Sequence, residues 1–370
     1  MILQRLSIDN FKNIAQARLE FSPKANCLLG NNGMGKSNLL DAIYYLSFCK
    51  SFNGVNDAML IKRDEDFCIV NASYLRRNVE EELSLGMSRN KRKSLKRKGK
   101  EYQRLSQHIG LFPLVIIAPN DIDLIRGNSD ERRRFIDMII SQSDHNYLDQ
   151  LIRYNKSLEQ RNKLLRDGCV DHNLYMAIEF AMSMSAEYIN RQRKVWIDKL
   201  SVIFNRYYNT IAGDGEQVEL IYQSQLNEAD ATLEKLFDGC RRHDEIVRHT
   251  SVGVHRDDIE MNVSGMPVRK TGSQGQCKTF TIALRLAQYE LLSEATSLKP
   301  LLLLDDIFDK LDATRVERIM EIVMCDTFGQ IFITDTNRTH LDNIIARTSG
   351  DYRIWEVSGG TFTPLNSIQQ

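Results

Sequence analysis

The sequence predicts an α/β fold assembled from both ends of the chain, with a mainly helical segment inserted between them. Three observations carry that expectation. Near the start, Gly30-Asn31-Asn32-Gly33-Met34-Gly35-Lys36-Ser37 lies between a short apolar run, Cys27 to Leu29, and a helical pattern that includes Leu39, Leu40, Ile43 and Leu46. Near the end, Leu301-Leu302-Leu303-Leu304 runs into Asp305-Asp306, the pattern of a buried strand that carries carboxylates to the C-terminal edge of a sheet. Between them, apolar side chains recur every three or four positions from about 148 to 165 and from about 174 to 208, with Asp167-Gly168 as the break of an αα-hairpin.

The first stretch has the spacing of a phosphate-binding P-loop in the strand-to-helix context that a chance match would lack. Its glycines let the backbone curl with positive φ, so that successive N–H groups converge on a triphosphate, and the helix that follows adds its positive end. Lys36 is expected to reach the β- and γ-phosphates, and Ser37 to ligate Mg²⁺. At the other end, Asp305 is expected to hold the same Mg²⁺, with Asp306 orienting or deprotonating the attacking water. A last core strand, Gln330 to Ile333, ends at Thr334-Asp335-Thr336, where a polar γ-phosphate sensor would sit.

Composition sets the limits on partners. The 370 residues hold 49 Lys+Arg and 49 Asp+Glu, so nucleic-acid binding would need a local basic patch. The seven cysteines show no C-x-x-C spacing and suit a reducing compartment. The alternating start MILQRLSIDNF has no signal-peptide core, and no stretch approaches eighteen apolar residues, so a cytoplasmic, membrane-free protein is expected.

The remaining elements follow in order. Ile2 to Ile8 and Ala17 to Phe21 alternate as two strands, and two more are expected at Cys68 to Leu75 and Glu82 to Arg89. Residues 89–104 are the most lopsided segment, with Lys91, Arg92, Lys93, Lys96, Arg97 and Lys98 in a run that reads as a solvated hairpin tip or a contact for DNA phosphates. Leu114 to Ala118 is an unbroken apolar strand; Ser129 or Asp130 can cap a helix bearing Arg132, Arg133 and Arg134, at least one of which must turn inward and pair. A short strand at Val218 to Tyr222 precedes another helix. His255-Arg256-Asp257-Asp258 leads into a strand from Ile259 to Val263. Ser273-Gln274-Gly275-Gln276 then opens a long amphipathic helix, reading either as a second anion site or as a plain helix cap. Tyr352 to Val357 and Thr361 to Pro364 close the chain as edge strands.

In combination these motifs resemble ABC-type ATPase heads of the SMC and Rad50 superfamily, and within it the RecF family. The resemblance rests on the Phe11-Lys12-Asn13-Ile14 region, GNNGMGKSN at 30–38, PNDIDLIRG at 119–127, RRRFID at 132–137, HRDD at 255–258, SQGQ at 273–276 and LLLLDDIFDKLD at 301–312. It implies a head at 1–123 with 246–370 and an inserted helical arm at 124–245. It also adds Asn38 to the ATP site and implies an ATP-dependent homodimer in which Ser273, Gln274, Gly275 and Gln276 complete the partner's ATP site in trans. Asp309 and Asp312 would form the loop at that seam. The implied activity is slow ATP hydrolysis on double-stranded DNA at gaps and junctions, with RecO and RecR as partners in loading RecA. Five positions depart from the family pattern: Ser129 and Val254 replace proline, Cys277-Lys278 replaces Gln-Arg, and Asp306 is shorter than the glutamate of many ABC ATPases. The rival is an SMC- or Rad50-like head with another DNA-processing or defence role; the interval here has no long heptad coiled coil.

Overall fold

The computed structural model describes residues 1–213, 215–228, 230–308, 311–336 and 351–365. It divides into two compact units, Met1–Asp121 with Gln288–Gln370, and Ile122–Ala287. Residues 246–287, which sequence reasoning assigned to the sheet-bearing part, thus cluster with the inserted helices.

The first unit holds two six-stranded sheets. One is antiparallel, in the order β2-β1-β4-β5-β6-β7, from β1 (Ile2–Phe11), β2 (Ile14–Glu20), β4 (Phe67–Arg76), β5 (Val79–Ser88), β6 (Lys91–Arg97) and β7 (Lys100–Glu101). Its first strand buries Leu3, Leu6 and Ile8, which break strict alternation. The register shift between Leu3 and Arg5 against β4 supplies the extra residue that returns Leu6 to the core face. The basic run at 91–97 is strand β6, not a bare hairpin tip: Leu95 is buried and pairs with Leu85.

The other sheet has the order β15-β14-β3-β13-β12-β8. Strands β3 (Ala25–Leu29), β8 (Leu114–Ile117), β12 (Leu301–Asp305), β13 (Ile331–Asp335) and β14 (Tyr352–Ser358) pair in parallel, and β15 (Thr361–Leu365) is antiparallel to β14. All of Leu301–Asp305 is buried, because a parallel strand covered on both faces needs an apolar run instead of alternation. One expectation needs correction: β14 lies between β3 and β15, so of these two closing strands β15 alone lies at an edge. Helix α1 (Lys36–Phe48) is buried along nearly its whole length; α2 (Asp57–Leu60) is a single turn, and α10 (Ala313–Met324) follows β12.

The second unit is built on α3 (Asp123–Arg126), α4 (Ser129–Ser141), α5 (His145–Asp167), the 41-residue α6 (His172–Ala212) and α7 (Leu233–Val247). Gly168, at φ 66°, terminates α5 in the left-handed conformation that the hairpin requires. A three-stranded sheet joins β9 (Val218–Gln223), β10 (Asp258–Val263) and β11 (Met266–Pro267), followed by α8 (Val268–Thr271) and by α9 (Gln274–Thr296), which begins in this unit and continues past its boundary at Ala287. Two readings change here. The cap position of α4 is Asn128, one residue before the expected pair. And α9 is buried on every face from Thr279 to Gln288, so it is a core helix, not a surface amphipath.

Candidate nucleotide-binding site

The P-loop leaves β3 at Gly30, where a Cβ would meet the Val357 carbonyl oxygen at 2.4 Å; only glycine fits against that neighbouring strand. Gly35, at φ 114°, is the cap position of α1, and no side chain caps that helix start. Lys36 folds over the loop, its Nζ donating to the carbonyls of Gly30 (2.5 Å) and Asn31 (3.0 Å). Burial lowers the Lys36 pKa, against the pull of Asp306, Asp305 and Asp335. The loop is braced from outside: the Met34 carbonyl accepts from the Gly360 N–H (2.8 Å) and from Asn13 Nδ2 (3.3 Å), and Asn38 Nδ2 donates to Asn13 Oδ1 (2.8 Å).

The acidic strand meets this loop directly. Ser37 Oγ and Thr334 Oγ1 each donate to Asp305 Oδ1 at 2.8 Å, and the Asp306 N–H donates to Thr334 Oγ1 at 3.0 Å. Parallel pairing of Asp305 with Thr334 across β12 and β13 brings these groups together. Burial pushes the Asp305 carboxyl above the usual range, and the bonds from Thr334 and Ser37 pull it back in part. Asp306 has left the strand, at φ 49°. A cleft of about 110 Å³ is lined by Asn32, Gly33, Gly35, Lys36, Ser37, Asn38, Asp305 and Asp306. Residues expected at opposite ends of the sequence therefore share one small polar cavity.

Other candidates lie elsewhere or act less directly. Thr334 is fully buried and orients Asp305; Asp335 is buried too, and its carbonyl accepts from the Gly30 N–H at 3.3 Å. Ser273 and Gln276 form a reciprocal capping box on α9, Gln276 N–H to Ser273 Oγ (3.1 Å) and Ser273 N–H to Gln276 Oε1 (2.9 Å), while Gln276 Nε2 reaches Glu216 (2.7 Å). Ser273 and Gln274 are exposed, Gly275 half-buried. Asp312 caps α10 through the Arg315 N–H (2.9 Å), and Asp309 lies outside the described residues.

The basic run is divided. Lys93 donates to Tyr45 Oη and the Cys49 carbonyl and pairs with Asp57 (2.9 Å); Arg97 grips Glu81 with two bonds. Lys98 stands 3.9 Å from Glu81, and Lys91, Arg92 and Lys96 are exposed. In the second unit, Arg132 turns inward to a bidentate pair with Asp258, whereas Arg134 pairs with Glu131 on the surface. His255 sits between Tyr154 Oη (2.8 Å to Nδ1) and the Thr250 carbonyl (3.1 Å to Nε2). Since a carbonyl can only accept, Nε2 carries the proton and Nδ1 accepts from the tyrosine.

Sequence reasoning missed two supports. Asn13 braces the P-loop, and Lys12 pairs with the fully buried Asp41 of α1 at 2.6 Å. Positive φ at Asn10 (59°) and Lys12 (51°) shapes the turn that presents both, and an Asn-Phe-Lys-Asn tetrad between two strands was the available signal. Among the described residues there is no cluster of three His, Cys, Asp or Glu side chains able to hold a metal, and no helix is long and apolar enough to cross a membrane.

Comparison with known proteins adds an independent line. Residues 2–354 match the family described as the RecF/RecN/SMC N-terminal domain. The DNA replication and repair protein RecF of Parabacteroides distasonis is 50% identical over 365 residues, spanning 99% of this chain and 100% of the relative; that of Bacteroides fragilis strain YCH46 is 47% identical over 372 residues, spanning 100% of each. A solved structure described as the recombination mediator protein RecF with ATP in the RecFOR pathway superposes with a TM-score of 0.88 at 30% identity, covering 99% of this chain and 98% of that one. The Smc head domain of Pyrococcus furiosus, at 16% identity and TM-score 0.58, shares the fold, covering 98% of this chain and 96% of its own.

Proposed function

This chain belongs to the RecF family of the RecF/RecN/SMC N-terminal group, and from that premise we propose that it is an ATP-dependent DNA-binding clamp of recombinational repair. The observation that carries the reading is the 2.8 Å bond between Ser37 of the P-loop and Asp305 of the acidic strand, which joins the two halves of an ATP site. Residues Gly30 to Asn38 wrap the phosphates through backbone N–H groups, and Lys36 exchanges its loop carbonyls for phosphate oxygens. Mg²⁺ suits the donor set, since Ser37 and Asp305 offer a hydroxyl and a carboxylate, both hard oxygen ligands. An ion held there would neutralise charge on the phosphates during transfer of the γ-phosphoryl group. Thr334 holds the Asp305 carboxylate in place, and Asp306 orients the attacking water; its short side chain is consistent with slow turnover that resets a switch.

The composite-site reading needs a second copy. In it, Ser273, Gln274, Gly275 and Gln276 approach the partner's γ-phosphate with the positive end of α9, and Asp309 and Asp312 lie at the seam. Double-stranded DNA contacts the exposed Lys91, Arg92 and Lys96, with Lys98 beside them; Lys93 and Arg97, paired internally, shape the strand that carries them. RecO and RecR are the expected protein partners, and the cytoplasm is the expected compartment.

The test is duplex-DNA binding and molecular mass measured together with no nucleotide, ADP, ATP and a slowly hydrolysed analogue, for the parent, Lys36→Met and Ser273→Arg. ATP should convert monomer to dimer and tighten DNA binding in the parent only. A protein that stays monomeric throughout, or binds DNA equally in every state, lacks the composite site.

A further inference from the structure

The long helix α6 carries an exposed apolar face that its neighbours leave uncovered: Met176 is 54% exposed, Phe180 64% and Met184 60%. Side chains of this kind seldom stand together on a solvated surface without an occupant. Their spacing of four keeps them on one side of the helix, and Asn173 and Glu187, three residues beyond each end, fall on the same side. The order Asn173, Met176, Phe180, Met184, Glu187 therefore reads the same in size and spacing from either direction, with Phe180 at its centre.

We propose that this face binds the same face of a second copy, the two α6 helices running antiparallel about a two-fold axis through Phe180. An isologous contact requires a patch complementary to itself. Antiparallel pairing sets Phe180 on Phe180 and Met176 on Met184. It also sets the exposed Glu187 against Asn173, in the first turn of the partner's α6, where the helix end favours a carboxylate. One turn further, exposed Arg191 meets the connection between α5 and α6, flanked by Asp167 at the end of α5 and Asp171 at the cap of α6. Both ends of the stripe thus present opposite charge to their counterparts. The patch is well below the ~800 Å² per partner of a stable interface, so the contact is transient unless the copies are already held together. It does not depend on nucleotide and is separate from the ATP-driven association proposed above.

Cysteine trapping of the full chain, without nucleotide, reads the geometry directly even for a weak contact. In a background with Cys169, Cys240 and Cys325 changed to serine, Phe180→Cys should form a disulfide dimer under mild copper-phenanthroline oxidation. An equimolar mixture of Met176→Cys and Met184→Cys should cross-link at least severalfold faster than either variant alone, and Glu187→Lys should slow both reactions. The control is Ile246→Cys on α7, 72% exposed and off the stripe. Cross-linking of Phe180→Cys no faster than this control overturns the proposal and leaves the face to a different protein. Equal rates for the mixed and single methionine variants overturn the antiparallel two-fold.

Discussion

In the helical unit, buried arginines meet their acids directly. Arg161 binds Glu179 (2.9 Å) and Asp244 (2.6 Å), with the ring of Phe237 4.4 Å from its guanidinium carbon; Arg193 binds Asp137 twice and Asp257 once (2.8 Å), and Tyr222 Oη donates to the same Asp257. At the P-loop, Asp305 instead receives two hydroxyls and faces a cleft. Burial pushes the carboxyls of both Asp257 and Asp305 upward. A perturbed acid therefore does not by itself identify a site. The countercharge does: Asp257 is closed by an arginine of its own chain, while Asp305 presents hard oxygen ligands beside a phosphate-shaped loop. By this measure the His-Arg-Asp-Asp motif, as striking in sequence as Leu-Asp-Asp, is architecture.

The contrast breaks first at Arg193. Arg193→Met strands two carboxylates in the arm and should cost about 3–5 kcal/mol in denaturant unfolding; a loss below ~1 kcal/mol would mean that the network contributes little. The next effect is acid sensitivity. Burial lowers the His255 pKa to about 4, with the Thr250 carbonyl opposing, so neutral His255 stabilises the fold fully above its unfolded value of 6.5. That contribution, up to about 3 kcal/mol, is lost as pH falls from 6.5 through about 4. His108, buried in the head and also lowered to about 4, acts in the same sense. His255→Asn should therefore flatten the acid limb of the stability curve without abolishing it, and an unchanged limb would contradict the burial argument.

Asp305→Asn should move stability the other way. The folded pKa of Asp305 lies above its ordinary 3.8, so its contribution is fully present below 3.8 and lost as pH rises through the folded value. Above the folded value the ionised carboxylate is a net cost, so at neutral pH the amide should leave the unfolding midpoint unchanged or raise it. A large loss would place Asp305 with the structural acids. The smallest effect belongs to Ser273→Ala, which removes one arm of the capping box and should cost ~1 kcal/mol or less, read from the denaturation midpoint.

What sequence reasoning reached follows physical range. The P-loop was legible because its glycine requirement is local, and the acidic strand because burial on both faces demands four consecutive leucines. The αα-hairpin was legible from its period and Gly168. Long-range pairings were not. Nothing near Tyr352 says that β14 is flanked by β3 and β15, nothing near Thr334 says that its hydroxyl holds Asp305 across the strand register, and nothing in the 91–98 run separates Lys93 and Arg97, which pair inward, from Lys91, Arg92 and Lys96, which do not. The burial of α9 was missed because its exposed ends and central threonines and glutamine lend it the pattern of a surface helix.

The most direct test of the central claim is ATP affinity by titration calorimetry, with and without Mg²⁺, for the parent and Asp305→Asn. If Ser37 and Asp305 hold the ion, Mg²⁺ tightens ATP binding by the parent at least tenfold, and the variant, folded and as stable, loses most of that gain. An Asp305→Asn protein that keeps the parent's full Mg²⁺ dependence would contradict the site.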